Sequence, residues 1–464
     1  MELDVIVTPG LGDNSYLIAS GGEAAVVDPQ RDAGRFLAAA EARGVTIRYV
    51  LETHVHNDYV SGGTEIRAAT GAAIAAPARG RYEFPIEPMA EGDELKVGDL
   101  RLRAMETPGH TPEHLSYLLF EEGSGAPAAV FTGGSMMVGS AGRTDLLGAD
   151  LADELTRHQY RTLRRLATLP DPVQILPTHG AGSFCGSGPA EKDRTSTLGR
   201  ERKRNRALRA PDEDAFVRQQ LSGLMAYPTY YASMAPINRA GPRLLAGVPG
   251  PGPLTPEELA ARQRAGVWVI DGRWRVPFAR AHVPGSLNVE LDDTFGSYVG
   301  WVVPFGEPLA LVLPEPEKQS LHEAMTQLFR IGFERIEGYL DGGLDAWRGV
   351  GLPVDSYRTA GLEELCRAYR AGEVPHLLDV RQRTEWDAGR IPGSTHVFVG
   401  DLPARLDEVP RDEQVWVICA TGHRAALATS LLDRLDIPVR LVEGTGVTDF
   451  LKHCPPAGHE GSQG

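Results

Sequence analysis

Two separated stretches of this chain repeat at one spacing, and that spacing restricts what it can fold into. Val269-Ile270-Asp271-Gly272-Arg273 matches Leu377-Leu378-Asp379-Val380-Arg381, and Ala281-His282-Val283-Pro284-Gly285-Ser286 matches Gly389-Arg390-Ile391-Pro392-Gly393-Ser394. Asp379 lies 108 residues beyond Asp271, and Pro392 lies 108 beyond Pro284. A constant offset over two matches marks a duplicated domain rather than chance. Strands alternate with helices, as in the run Val415–Ile418 followed by a helical stretch over 425–434, which is the pattern of a parallel α/β sheet. Ahead of the repeat, Val248-Pro249-Gly250-Pro251-Gly252-Pro253 resists both helix and ladder and reads as a linker. At 464 residues the chain exceeds one core, so three bodies are expected, over 1–247, 254–352 and 359–455.

The first body opens with β-type runs at 5–7, 15–19 and 24–28, then a helix from about 32 to 43 that Gly44 would cap in the left-handed region. Further runs end in metal-ligand chemistry. The run 47–51 leads into Thr53-His54-Val55-His56-Asn57-Asp58, the run 100–105 precedes Thr107-Pro108-Gly109-His110-Thr111, and a third apolar run enters Pro177-Thr178-His179-Gly180. Side chains at strand ends can converge from distant parts of a sequence. On an extended segment His54 and His56 project to one side, and Asp58 continues the series. Imidazole with carboxylate suits zinc, iron or manganese and makes a poor calcium site. The candidate ligands are therefore His54, His56, Asp58, His110 and His179.

A thiol site is expected at Cys419-Ala420-Thr421-Gly422-His423-Arg424, where a cysteine ends an apolar strand and a helix follows. Backbone N–H groups at a helix start stabilise a thiolate, the form that attacks sulfane sulfur. Gly422 lets the loop curl, and Arg424 can hold an anionic donor. In the first copy the corresponding strand is Leu309-Ala310-Leu311-Val312-Leu313, with no cysteine near, so that copy is assigned no catalysis. Cys185 reads equally as a sulfur relay or as packing, Cys366 as core, and Cys454 has no evident task. The four cysteines lack the spacings of a disulfide framework, so a reducing cytoplasm is expected, with any functional cysteine a thiol. A formal net charge of −15 disfavours nucleic acid and anionic membranes as partners. The basic run Arg200-Glu201-Arg202-Lys203-Arg204 has no interleaved aromatics and reads as a solvated helix face. No apolar run is long enough to span a bilayer, and Met1-Glu2-Leu3-Asp4 carries acid where a secretory signal needs base. Self-association is left open.

These segments, with Val27-Asp28-Pro29-Gln30-Arg31-Asp32, Gly142-Arg143-Thr144-Asp145-Leu146 and His179–Gly186, resemble the metallo-β-lactamase superfamily, and within it the persulfide dioxygenase branch fused to rhodanese domains. The resemblance implies an αββα sandwich followed by two rhodanese-like parallel α/β domains, the first inactive and the second bearing Cys419. It implies one Fe(II) per chain held by two His and one Asp, with zinc as the alternative. The implied substrate is a glutathione-type persulfide, oxidised to sulfite. By motif the family's first His falls on His54 and its second on His110, and Arg143 would meet a carboxylate of the thiol carrier. Zinc hydrolases of the superfamily keep a further His where this chain has Tyr59.

One position departs from the branch. Its aspartate ligand sits in a Phe-Thr-Gly-Asp segment, and this chain reads Phe131-Thr132-Gly133-Gly134. Without that carboxylate three arrangements remain open: a face of His54, His56 and His110; a displaced site completed by Asp58 and His179; or an empty site. Iron and oxygen uptake restored by Gly134→Asp would mean that this chain has lost an activity its relatives keep. Three functions follow: a persulfide dioxygenase joined to a sulfurtransferase, a sulfurtransferase with a degenerate lactamase-like domain, or a zinc thioester hydrolase.

Overall fold

Apolar residues alternating along short strands build two facing sheets in the N-terminal half. The computed structural model describes residues 2–187, 191–222, 224–248 and 250–454. The first sheet takes Glu2–Thr8, Asp13–Ser20, Glu23–Val27, Thr46–Leu51, Ala73–Pro77 and Glu87–Met89 in that order, antiparallel up to the third strand and parallel beyond it. The second has the order Ser196–Thr197, Gln174–Pro177, Ala129–Gly133, Leu115–Phe120, Leu100–Glu106, Glu94–Val97. Between them Tyr16, Ile18, Val27 and Leu51 pack against Leu102, Tyr117, Phe131 and Leu176. Each such side chain contributes about 1.5–3 kcal/mol on burial. Phe36 of helix Gly34–Arg43 and Ile66 of helix Gly63–Thr70 cover one outer face, and Leu163 and Leu166 of helix Ala149–Leu166 cover the other. This is the expected αββα sandwich. Gly44 closes the first helix at φ 65°.

The C-terminal half holds two five-stranded sheets, all of whose pairings are parallel. Their strand orders correspond: Pro253–Leu254, Ile336–Leu340, Leu309–Val312, Trp268–Asp271, Leu287–Asn288 in one, and Arg358–Ala360, Val439–Val442, Val415–Ile418, His376–Asp379, Thr395–His396 in the other. The duplication extends to single hydrogen bonds. Arg273 grips both oxygens of Asp271 and donates to Ala281 O, while Arg381 grips Asp379 in the same way and donates to Gly389 O. Asp271 pairs with Val312 and Asp379 with Ile418. The next residues, Leu313 and Cys419, therefore occupy equivalent places, as expected from sequence.

The chain divides into two compact units, Met1–Val248 with Phe329–Gly332, and Pro249–Leu328 with Phe333–Gly464. Two details depart from expectation. Pro253, read as the end of the linker, joins Leu254, where the second body was expected to begin, in a strand that pairs in parallel with Ile336–Leu340, while Pro249 of that linker and residue 455 lie outside the described residues. Cys366 lies in the core as expected, but it bonds Cys454, which was expected in the tail with no task, in a disulfide with Cα atoms 5.8 Å apart. A separation of 88 residues gives a sequence reading no hint of that pairing. No described helix is long and apolar enough to cross a membrane.

Candidate metal centre and thiol loop

The three histidine loops follow strands Thr46–Leu51, Leu100–Glu106 and Gln174–Pro177, and the fold brings them together. One ligand atom each of His54, His110 and His179 lies within 4.8 Å of the others, and all three side chains are buried. Hydrogen bonding assigns the tautomers. Thr53 Oγ1 donates its only proton to Asp28 Oδ2 (2.8 Å), so it accepts from His54 Nδ1 (2.8 Å). His110 Nδ1 donates to the carbonyl of Arg143 (2.7 Å), and His179 Nδ1 donates to Asp13 Oδ1 (2.9 Å). Each Nε2 is therefore left with its lone pair. His54 Nε2 and His179 Nε2 face each other at 3.4 Å, and buried His110 Nε2 has no hydrogen-bond partner.

Burial, with neighbouring imidazoles adding to it, pushes His54 and His110 well below the usual histidine range, and burial lowers His179 too. Neutral imidazoles with converging lone pairs and Nδ1 groups fixed by acceptors are the donor set a cation requires. Zinc, iron, copper and nickel all suit imidazole nitrogen.

His56 and Asp58 belong to overlapping groupings, with Asp28 and His54, and with His179. His56 Nε2 turns to Asp28 Oδ1 (3.2 Å), Glu52 Oε2 (3.3 Å) and the Tyr59 hydroxyl (3.1 Å). Its Nδ1 is buried without a partner. Asp58 Oδ2 lies 3.3 Å from His179 Nδ1, beside Asp13. Burial pushes both carboxyls up to about 7, and for Asp58 the Asp13 charge adds to it. The structure thus combines members of two expected arrangements, placing His179 with His54 and His110 and leaving His56 outside that trio.

Four buried groups were missed as site components: Asp13, Glu52, His114 and Asp28. His114 stacks on His54 (4.9 Å between ring centroids) and accepts Gly134 N–H through Nε2 at 3.0 Å. Asp28 and His114 lie in segments that carry the family resemblance, Val27-Asp28-Pro29 and Thr107–His114, whereas Asp13 and Glu52 carried no signal in the sequence.

Asp28 ties the loops together. Its carboxylate accepts from Thr53 N (2.7 Å), Thr53 Oγ1, Thr178 Oγ1 and His56 Nε2. Burial alone would raise its pKa, but the His56 charge and these donors hold it below the usual carboxylate range. In Asp28→Asn one acceptor oxygen becomes an NH2 facing donors. We expect a loss of about 3 kcal/mol, measured as a lower urea midpoint with an unchanged denaturant slope.

Two expected roles need correction. The Arg143 guanidinium is not open to a thiol carrier. It is 2% exposed, binds both oxygens of Asp145 (2.7 Å each), donates to the carbonyls of Phe184 and Met225, and lies 4.4 Å from the Tyr227 ring centroid. What this residue gives the site is its carbonyl, which orients His110. Arg424 likewise has both terminal nitrogens on the Glu385 carboxylate (NH2 to Oε1, 2.8 Å) rather than facing an anionic sulfur donor.

The thiol loop forms as expected. Cys419 follows strand Val415–Ile418, helix His423–Asp433 starts four residues later, and Gly422 N donates to Cys419 Sγ at 3.1 Å. Gly422 has φ 97°, a region that penalises any side chain. Cys185 is buried beside Tyr231, and burial pushes its thiol well up, which suits packing better than relay.

Comparison with known proteins agrees with both halves. Residues 8–179 match the metallo-beta-lactamase superfamily, and residues 362–452 match the rhodanese-like domain. The hydroxyacylglutathione hydrolase of Cereibacter sphaeroides is 37% identical over 185 residues, 39% of this chain and 67% of that protein. That of Rhodospirillum rubrum is 34% identical over 213 residues, 45% of this chain and 75% of that protein. A crystal structure of a metallo-beta-lactamase from Staphylococcus aureus covers 73% of this chain and 98% of its own, with a TM-score of 0.65 and 29% identity. By its sandwich, its histidine cluster and these likenesses, the chain belongs to the metallo-beta-lactamase superfamily and carries a rhodanese-like domain toward its C-terminus.

Proposed function

We propose that this chain is a two-site sulfur enzyme, oxidising a glutathione-type persulfide at the His54–His110–His179 cluster and transferring sulfane sulfur through Cys419. The observation carrying the proposal is that three Nε2 lone pairs converge in a chain whose rhodanese-like loop also aims a backbone N–H at a cysteine sulfur. A ferrous ion held by the three histidines would supply the site where dioxygen and persulfide meet. Three neutral ligands leave its charge uncompensated, which favours an anionic sulfur substrate. Thr53, Arg143 O and Asp13 fix the imidazoles from behind. Overall, persulfide, dioxygen and water give thiol and sulfite. At the second site the Cys419 thiolate attacks a sulfane sulfur, the donor's leaving group departs, and an acceptor thiol later removes the sulfur and regenerates Cys419. The bodies 1–247 and 359–455 would carry the two reactions, and 254–352 would have no nucleophile of its own.

Protein reconstituted with Fe(II) without oxygen should then take up dioxygen with glutathione persulfide and release sulfite. Iron-loaded protein that leaves dioxygen untouched would end the oxidative half. Thioester hydrolysis by a zinc form is the second reading, favoured by the hydroxyacylglutathione hydrolase relatives. Against it, the position after Asp58 is Tyr59, whose hydroxyl bonds His56. Hydrolysis of a hydroxyacylglutathione after zinc loading decides between them.

A further inference from the structure

The copy without a nucleophile has a buried ion pair that its own fold does not use up. Arg275, 6% exposed, binds Glu290, 1% exposed, through Nε to Oε1 and NH2 to Oε2 (2.6 Å each), and its backbone N–H also donates to Glu290 (2.8 Å). The remaining terminal nitrogen, NH1, leaves its own repeat and donates to the carbonyl of Thr421 at 2.7 Å, inside the Cys419 loop. A trans peptide is planar, so the carbonyl of residue 421 and the N–H of residue 422 point in opposite directions. Fixing one fixes the other. The chain of contacts runs from guanidinium to carbonyl oxygen, across one peptide, and from Gly422 N–H to Cys419 Sγ. A cation on the carbonyl also polarises the peptide and strengthens its N–H as a donor.

We infer that Arg275, held by Glu290, is a positioning residue for Cys419, acting through the 421–422 peptide to aim and strengthen the hydrogen bond received by the sulfur. The cysteine-less repeat is then half of the sulfur site rather than a spacer. Gly422 fits this arrangement twice over: its φ is positive, and a Cβ there would overlap Arg275 NH1. The other charged or titratable groups around the loop are His423 and Arg424 on its helix, Glu385 in the same repeat, and Asp292 and Tyr298 from the first repeat. His423 Nδ1 lies 3.3 Å from Asp292, and its ring centroid is 4.9 Å from that of Tyr298.

The inference rests on the sulfur-transfer reading only for its activity readout, and the test therefore has two. Full-length wild type, Arg275→Lys, Arg275→Met with Glu290→Gln, and Asp433→Asn would be compared. Lysine keeps the charge beside Glu290 but cannot span both partners, and the double variant removes the pair without leaving an unpaired buried charge. Asp433→Asn takes the charge out of a different contact between the repeats, His282 Nε2 to Asp433 Oδ2 at 3.0 Å. The first readout is the rate of iodoacetamide alkylation at Cys419 against pH, resolved by peptide mass. The second is kcat and KM for thiosulfate with cyanide as acceptor.

Both Arg275 variants should move the Cys419 alkylation profile to higher pH and lower kcat about tenfold, the effect of weakening one charge-assisted hydrogen bond, with KM changing less. Asp433→Asn should lower thermal stability yet leave the alkylation profile in place. Equal profiles in wild type and both Arg275 variants would overturn the inference, as would a shift of equal size in Asp433→Asn. Wild type inert toward thiosulfate, with alkylation profiles still separated, would refute the transferase reading and uphold the positioning role.

Discussion

Cys419→Ser is expected to abolish sulfane-sulfur transfer, a loss of about a thousandfold or more, while leaving metal content unchanged. A serine hydroxyl stays protonated at neutral pH and cannot carry sulfane sulfur. Serine still fits the space, because Cys419 sits at a strand end and its sulfur takes one hydrogen bond, from Gly422 N. The change therefore separates chemistry from folding. Cyanide-dependent consumption of thiosulfate and iron content per chain would be measured on one preparation. Transfer surviving in Cys419→Ser would place the nucleophile elsewhere, and buried Cys185 is the other free thiol among the described residues.

Gly134→Asp is expected to drive metal out rather than to recover a family ligand. A Cβ on Gly134 would lie 2.6 Å from His110 Nε2 and closer still to His110 Cδ2. The His110 ring fills the space an aspartate would need, held there by its bond to the Arg143 carbonyl. Any side chain at 134 must displace that ring, an overpacking cost of about 1–3 kcal/mol. Displacing one of the three proposed ligands should weaken metal binding by about 10–100-fold or more. Gly134→Ala controls for the carboxylate: if both variants lose metal after identical reconstitution, space is the cause. Aspartate gaining iron while alanine loses it would show instead that His110 swings aside and that a carboxylate site can be rebuilt.

The sequence expectations succeeded where chemistry is local and failed where it depends on what a side chain meets. Strand runs follow from periodicity, the duplication from a fixed offset, and the equivalence of Leu313 with Cys419 from aligning the strands that precede them, and all three appear in the sheets. His54, His110 and His179 were candidates from their loops, but no pattern says which imidazole nitrogens converge. The separate direction of His56 depends on Asp28 and Glu52, carried by other segments. Arginine shows the same limit. Arg143 and Arg424 stand where an anion could bind, yet Asp145 and Glu385 already occupy them. Arg275, which lies between the two repeat segments but in neither, reaches the thiol loop.

The paired Asp–Arg clasps have a consequence for how such a chain can diversify. Asp271 with Arg273 and Asp379 with Arg381 lock each strand end by the same bonds, whether leucine or cysteine follows the neighbouring strand. Architecture and reactivity are thus encoded by different side chains. One copy could shed its nucleophile without unravelling, freeing its surface to drift toward service of its twin.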